Sequence, residues 1–376
     1  MRLLVLCCRF PEPGAKGDQV RAFHQIAHLA AEHDITVLTG GRPSSQGGYE
    51  RLRALATVEL HPTGRRARAL SAATALLRGQ PAQVGWMTPS PLWRRSVGLA
   101  GTADVVLANT VRSVRGPLPA PLVVDHVDAL ALNMARRAEG PESAPVRLAA
   151  RAEAALLRRW ERRCAGWAAA QVVTAGEDAA HLWPAPPPIV LPIAWPGEAF
   201  VEPASHERDI DVIFTGSMGY PPNRAAAEYL AAEILPRLLA LRPDVEAWVV
   251  GRGASELRLS PGVNVASDVP DLYDYLRRSK IAVAPLRGGT GAPNKVLEAA
   301  ACGAALVAAP WVLERFDIAG AAAQTAQDFA VAIDRLLGDE AARCVLVERA
   351  LTTLQAHSPT IVFGRLDEVL RDVARA

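Results

Sequence analysis

Apolar residues in this chain fall in short unbroken runs, not in strict alternation with polar ones. Leu3–Cys8, Ile35–Thr39, Thr57–His61, Val105–Ala108, Leu122–Val127 and Gln171–Ala175 are runs of this kind. Such runs suit strands covered on both faces. Stretches of helical spacing lie between them, the clearest at Gln19–His33 and in an Arg/Ala/Leu-rich segment over 145–165. A second series starts at Ile210–Phe214 and continues with Val245–Val250, Val263–Ala266, Ile281–Pro285 and Ala305–Ala308. Helical stretches separate these too, at Asn223–Leu241, Leu272–Arg278 and Asn294–Cys302. Strand and helix alternating twice predicts two parallel sheets, each with helices on both faces.

Prolines crowd the junction between the two series, at 184, 186, 187, 188, 192, 196 and 203. So many prolines cannot form a helix and read as a joint. The expected organisation is an N-terminal Rossmann-like domain over 1–195 and a linker over 196–209. A C-terminal Rossmann-like domain follows over 210–358. A last helix, 359–376, is expected to pack back toward the first domain. The fold class is thus α/β, with two Rossmann-like domains facing each other across a cleft. Ligands of such sheets bind outside the carboxyl ends of the strands.

Composition narrows the function classes. Half of the 376 residues are hydrophobic and 21% are charged, the balance of a globular protein. No apolar run reaches the roughly 20 residues that span a bilayer. The segment Leu3–Cys8 is too short for the core of a signal peptide and reads as a first strand. Five cysteines without paired spacing argue for a reducing, cytoplasmic setting. Net charge is only +2, yet the first 200 residues hold 23 basic and 16 acidic side chains and the remainder 18 and 23. Arginine doublets recur in that first half, at 65–66, 94–95, 136–137, 158–159 and 162–163. They read as solvated helix faces, or as a surface meeting anionic lipid at the inner face of a membrane or a phosphate-bearing acceptor. Aromatic residues are 5% and do not interleave with the basic ones, which disfavours nucleic acid.

Lysine is almost absent: Lys16, Lys280 and Lys295 are the only three. Lys16 lies in Pro13–Asp18 and Lys295 in a glycine-rich segment running from Gly288 to Glu298. Each segment follows a strand-like run and opens a helix-like one. Bare backbone N–H groups, a helix N-terminus and an ammonium together hold anions. Lys295 and Glu298 are three apart and share a helix face. Lys280 has no expected role. The pair His24 and His28 has metal-ligand spacing on a helix, but no third ligand accompanies it, so no metal is expected. A nucleophile elbow and a complete GxGxxG are both missing, which weakens hydrolase and dinucleotide readings.

Phe214-Thr215-Gly216-Ser217-Met218-Gly219-Tyr220-Pro221-Pro222-Asn223, Val250-Gly251, Val269-Pro270-Asp271 and the run Gly291–Ala308 occur in that order. Together they resemble the retaining GT-B glycosyltransferases of family four (group 1), in particular bacterial exopolysaccharide-type sugar transferases. The resemblance extends, more loosely, to Gly17-Asp18 and to Val123–Asp128. It implies a hexose-type sugar moved from a UDP- or GDP-type donor to an acceptor hydroxyl with retention and without metal. The acceptor could be a glycan, a glycolipid or a natural product. It also implies a donor site. Glu298 would bind the ribose; Gly291, Ala292 and Lys295 the diphosphate; the backbone near Val269 and Asp271 the base; and Gly216 with Ser217 would leave room for phosphates. Gly17 belongs to a loop that would close over the donor. Thr290 replaces the first Glu of the family's E-x7-E pattern, which leaves the sugar contact open, and Arg224, Arg252 or Arg287 would have to assist the diphosphate.

Asp125, His126 and Asp128 end an apolar strand and are candidates for orienting the acceptor or stabilising charge on the sugar, with Lys295 as the catalytic cation. Capping by Asp128 and a buried His126 are the structural alternatives. Gln80–Trp93, with Pro81, Trp86, Met87 and Trp93, could be an apolar acceptor wall or plain core. Two further functions fit the same chain: a sugar-nucleotide epimerase, and a non-catalytic nucleotide-sugar-binding partner.

Overall fold

The computed structural model describes residues 1–13, 17–140, 143–195, 207–287 and 293–376. These form two compact units. The first comprises Met1–Ala194 and Pro359–Ala376, the second Trp195–Ser358.

The first unit is built on seven strands: β1 (Arg2–Cys7), β2 (Asp34–Thr39), β3 (Thr57–Leu60), β4 (Val105–Asn109), β5 (Leu122–Asp125), β6 (Ala170–Val173) and β7 (Pro188–Val190). All pair in parallel, in the order β3-β2-β1-β4-β5-β6-β7. Successive side chains of a strand point to opposite faces, and both faces here are covered. Leu3, Val5 and Cys7 of β1 therefore join one core layer, with Phe23, Ile26 and Leu29 of the helix Gly17–Leu29. Leu4 and Leu6 join the other, with Trp160 and Cys164 of the helix Ala144–Trp167. Each such fully buried Leu or Val contributes about 1.5–3 kcal/mol. The terminal helix Pro359–Arg375 inserts Val362, Phe363, Leu366 and Leu370 into the first of these layers. It is tied by His33 to Asp367 at 2.6 Å.

The second unit has six strands: β8 (Ile210–Thr215), β9 (Ala247–Val250), β10 (Val263–Ala266), β11 (Ser279–Ala284), β12 (Ala305–Ala308) and β13 (Ala321–Ala322). They too are parallel, ordered β10-β9-β8-β11-β12-β13. In both sheets the order reverses beside the first strand, between β1 and β4 and between β8 and β11. The carboxyl ends of those four strands are where such sheets receive ligands.

Two departures from the sequence expectation concern proline. Part of the proline-dense stretch is β7 rather than joint, since a sheet edge leaves the missing N–H of Pro188 unpunished. The expected helix Asn223–Leu241 starts earlier, at Pro221. It widens into a π turn over Leu230–Ile234 just before Pro236, which cannot donate the next helical hydrogen bond. No described helix is long and apolar enough to cross a membrane. All five cysteines are free.

Candidate functional site

At the switch point of the second sheet, β8 ends in Thr215 and the chain turns at Gly216. The turn is held by Gly216 N donating to Val250 O at 3.1 Å and Met218 N to Arg252 O at 2.9 Å. A Cβ on Gly251 would lie 2.1 Å from Gly216 O, so glycine is required where the two loops cross. A Cβ on Gly216 would itself lie 2.9 Å from Lys295 Nζ.

Lys295 opens the helix Lys295–Ala301 after β11. Its ammonium donates to Asn223 Oδ1 at 2.7 Å and sits 4.2 Å from the centre of the Phe214 ring. Asn223, near the start of the helix Pro221–Tyr229, donates in turn to Ser217 O at 3.0 Å. Glu298, one turn further on, makes no side-chain hydrogen bond among the described residues. Burial raises its pKa, and Lys295 lowers it in part. For Lys295 burial wins clearly: its pKa falls to about 7 although Glu298 pulls upward. A half-buried cation beside bare backbone, with one neutral acceptor and one carboxylate, is under-compensated. An incoming anion would relieve it.

The other donor-site candidates are placed as follows. Ser217 is exposed at the turn. Val269 lies in the loop before the helix Leu272–Arg277. Asp271 caps that helix, accepting from Tyr273 N at 2.8 Å and Asp274 N at 3.2 Å, and pairs with Arg277 at 2.8 Å. Its side chain is thus spent on its own helix, leaving its backbone to any ligand. Arg287 stacks on Tyr229 with its guanidinium carbon 3.8 Å from the ring centre and reaches Glu233 at 3.4 Å. It leans on the π turn. Arg224 donates to Met218 O at 3.4 Å. Thr290, Gly291 and Ala292 lie outside the described residues, as does Lys16. Gly17 is exposed at the start of its helix, where a Cβ would meet nothing within 4 Å. Lys280 pairs with Asp211 at 2.7 Å. Asn223 was not singled out from the sequence as a site residue, although it closes the very motif that begins at Phe214.

In the first unit, two of the catalytic candidates are buried. Asp125 is 0% exposed and His126 1%. Asp125 accepts from Arg21 Nε at 2.7 Å, Gln25 Nε2 at 2.6 Å and Val127 N at 3.0 Å. It neutralises a buried arginine. His126 bonds Gln171 at 2.9 Å, and burial lowers its pKa to about 4, so it is neutral at physiological pH. Asp128 is half-buried just before the helix Leu130–Glu139, whose N-cap position is Ala129. Asp178 and Glu161 accept from Ala129 N at 3.3 Å and Ala131 N at 3.0 Å. Burial raises Glu161 to about 7. Between these groups the backbone is strained: Thr110 and Val127, at the ends of β4 and β5, have φ of 66° and 64°. For β-branched residues that is costly, of order 1–3 kcal/mol each. Nearby, Asp18 gathers Arg9 at 2.9 Å and Arg112 at 3.8 Å. His28 packs against Phe363, and no group of three or more metal-ligating side chains occurs among the described residues.

Comparison with known proteins agrees with this architecture. A crystal structure of Anabaena HepE in complex with UDP-glucose superposes with TM-score 0.67 at 14% identity, covering 99% of this chain and all of that one. The fold is GT-B. Other GT-B matches are WaaG, a glycosyltransferase involved in lipopolysaccharide biosynthesis, and a glycosyltransferase from Rickettsia africae. WaaG has TM-score 0.63 and 15% identity, over 98% and 99% of the two chains; the Rickettsia protein has 0.61 and 12%, over 99% and 98%. Residues 209–339, within the second GT-B unit, match the family Glycosyl transferases group 1. No curated protein sequence matches the chain.

Proposed function

We propose that this protein is a retaining glycosyltransferase that moves a sugar from a UDP- or GDP-type donor to an acceptor hydroxyl without a metal ion. The observation that carries the reading is the under-compensated Lys295 ammonium at the switch point of the second sheet. It lies inside the segment that matches the group 1 family. The nucleotide sugar in the HepE complex supports a UDP-type donor.

In this reading the donor diphosphate lies against Lys295 and the turn at Gly216, and Glu298 takes the ribose hydroxyls. The sugar's C1–O bond to the phosphate breaks as the acceptor oxygen bonds C1 on the same face. The acceptor proton passes to the departing phosphate oxygen. Lys295 stabilises the charge that develops there. That the leaving phosphate itself serves as the base is what the resemblance to retaining GT-B transferases implies.

Thermal shift with UDP, GDP, dTDP and their sugars identifies the donor. NMR of the product then reads its anomeric configuration, and EDTA should leave the rate unchanged. A shift with none of these nucleotides would remove the donor site. A new sugar nucleotide formed from donor alone would make the protein an epimerase.

A further inference from the structure

The first unit contains a cavity of about 570 Å³ at the carboxyl ends of β1, β2 and β3. Three loops build it. Cys8–Phe10 follows β1, Gly40–Arg42 follows β2, and Pro62–Gly64 follows β3 and leads into the helix Arg65–Leu77. Gly41 lets the second loop press against the first, since a Cβ there would lie 2.2 Å from Phe10 N.

Four arginines line this cavity, Arg9, Arg42, Arg65 and Arg68, and no carboxylate does. Arg9 is neutralised by Asp18 at 2.9 Å. Arg68 is fixed by neutral carbonyls, Nε to Thr63 O at 3.1 Å and Nη2 to Gly40 O at 2.7 Å, so its charge persists. Arg42 and Arg65 have no hydrogen-bond or ion-pair partner among the described residues. Some arginines elsewhere on the same unit are neutralised by carboxylates, Arg2 by Asp104, Arg95 by Glu59 and Arg136 by Glu177, but none of those three lines this cavity. The cavity thus gathers three guanidinium groups with no carboxylate partner among the described residues, a positive lining that favours an anion. Guanidinium is also the cation best matched to carboxylate and phosphate oxygens. Trp86 and Met87, half-buried, supply the apolar part of the wall.

We propose that this cavity binds an anionic group, phosphate or carboxylate, on the acceptor, with a sugar ring resting on Trp86 and Met87. The proposal names the acceptor class and rests on the glycosyltransferase reading above.

The test is binding in the presence of excess UDP, which keeps the donor site occupied. One arm titrates glucose 6-phosphate against glucose; the other co-sediments the protein with vesicles of phosphatidylglycerol against phosphatidylcholine. The anionic member should bind at least tenfold more tightly in one arm or both, less so as salt rises. A response in the first arm only points to a soluble anionic acceptor, and one in the second to a lipid-borne phosphate. Arg42→Ala/Arg65→Ala, both exposed, should abolish the preference and leave the UDP-induced thermal shift intact, while Arg42→Lys/Arg65→Lys keeps most of it. Equal binding of neutral and anionic members in both arms overturns the proposal. So does a preference that survives in the alanine variant. Absence of a thermal shift with UDP, GDP and dTDP alike in the wild type, with anion preference intact, would instead overturn the donor reading alone.

Discussion

Two charged clusters lie past the carboxyl ends of strands, one in each unit, and they have opposite characters. Beside β5, Asp125 is sealed from water and its oxygens are met by Arg21, Gln25 and a backbone N–H. Past β11, Lys295 is half-buried with one amide oxygen and a carboxylate that makes no hydrogen bond of its own among the described residues. A complete network has nothing left to offer a ligand, whereas an incomplete one carries an energetic penalty that a ligand can remove. Position at a strand's carboxyl end is shared by both, so satisfaction of the charges, not location, separates scaffold from candidate site.

The largest test of this contrast is Asp125→Ala. It leaves Arg21 charged and buried, so urea unfolding should show a loss of about 3–5 kcal/mol. An unchanged midpoint would mean that Asp125 is not structural.

Second comes acid sensitivity. The unfolded chain protonates His126 near 6.5, but the folded one only near 4, so it resists the proton longer. Stability from this group is therefore lost as pH falls from 6.5 to 4, and the loss levels off below that, on the order of 3 kcal/mol in all. Glu161, raised to about 7 from 4.5, gives the opposite slope over much of the same window. The comparison is thus wild type against His126→Gln across pH, in which the Glu161 contribution cancels; the variant should lose less stability on acidification.

Lys295→Ala comes third, and should behave in the reverse manner to Asp125→Ala. UDP affinity, read by calorimetry, should fall at least tenfold, about 1.4 kcal/mol or more, while stability does not fall. In the wild type, affinity should also decline as pH rises above 7, because the free ammonium loses its proton there and the bound phosphate must restore it. The variant's affinity should be flat over that range. Lower stability with unaltered UDP binding would place Lys295 with the scaffold.

The smallest effect is expected from Asp271→Ala. Losing its cap should cost about 1 kcal/mol of stability with UDP affinity unchanged. A weaker UDP complex would show that the carboxylate, not only the backbone around it, meets the ligand.

Much of the scaffold was legible because its strands are buried on both faces and so read as apolar runs. The strand β1 shows this directly, with neighbouring residues sorted to opposite core layers. The edge strands β7 and β13 were not legible, one hidden by prolines and the other two residues long. Lys295 stood out because lysine is so rare here. The burial of Asp125 and His126 is not legible in the sequence, for a physical reason. A sequence shows that a polar pair ends a strand, but not that Arg21 and Gln25, about a hundred residues earlier, close over it. Asn223 was passed over because an amide near the start of a helix normally reads as local structure, and only the fold brings it to Lys295.

The terminal helix Pro359–Arg375 has a consequence for the order in which the protein is made. Its Val362, Phe363, Leu366 and Leu370 complete a core whose other members are all encoded before Pro192. The second unit, by contrast, has all its residues once Ser358 has left the ribosome. The unit that begins first is therefore completed only after the second, when the seventeen-residue helix Pro359–Arg375 has been made.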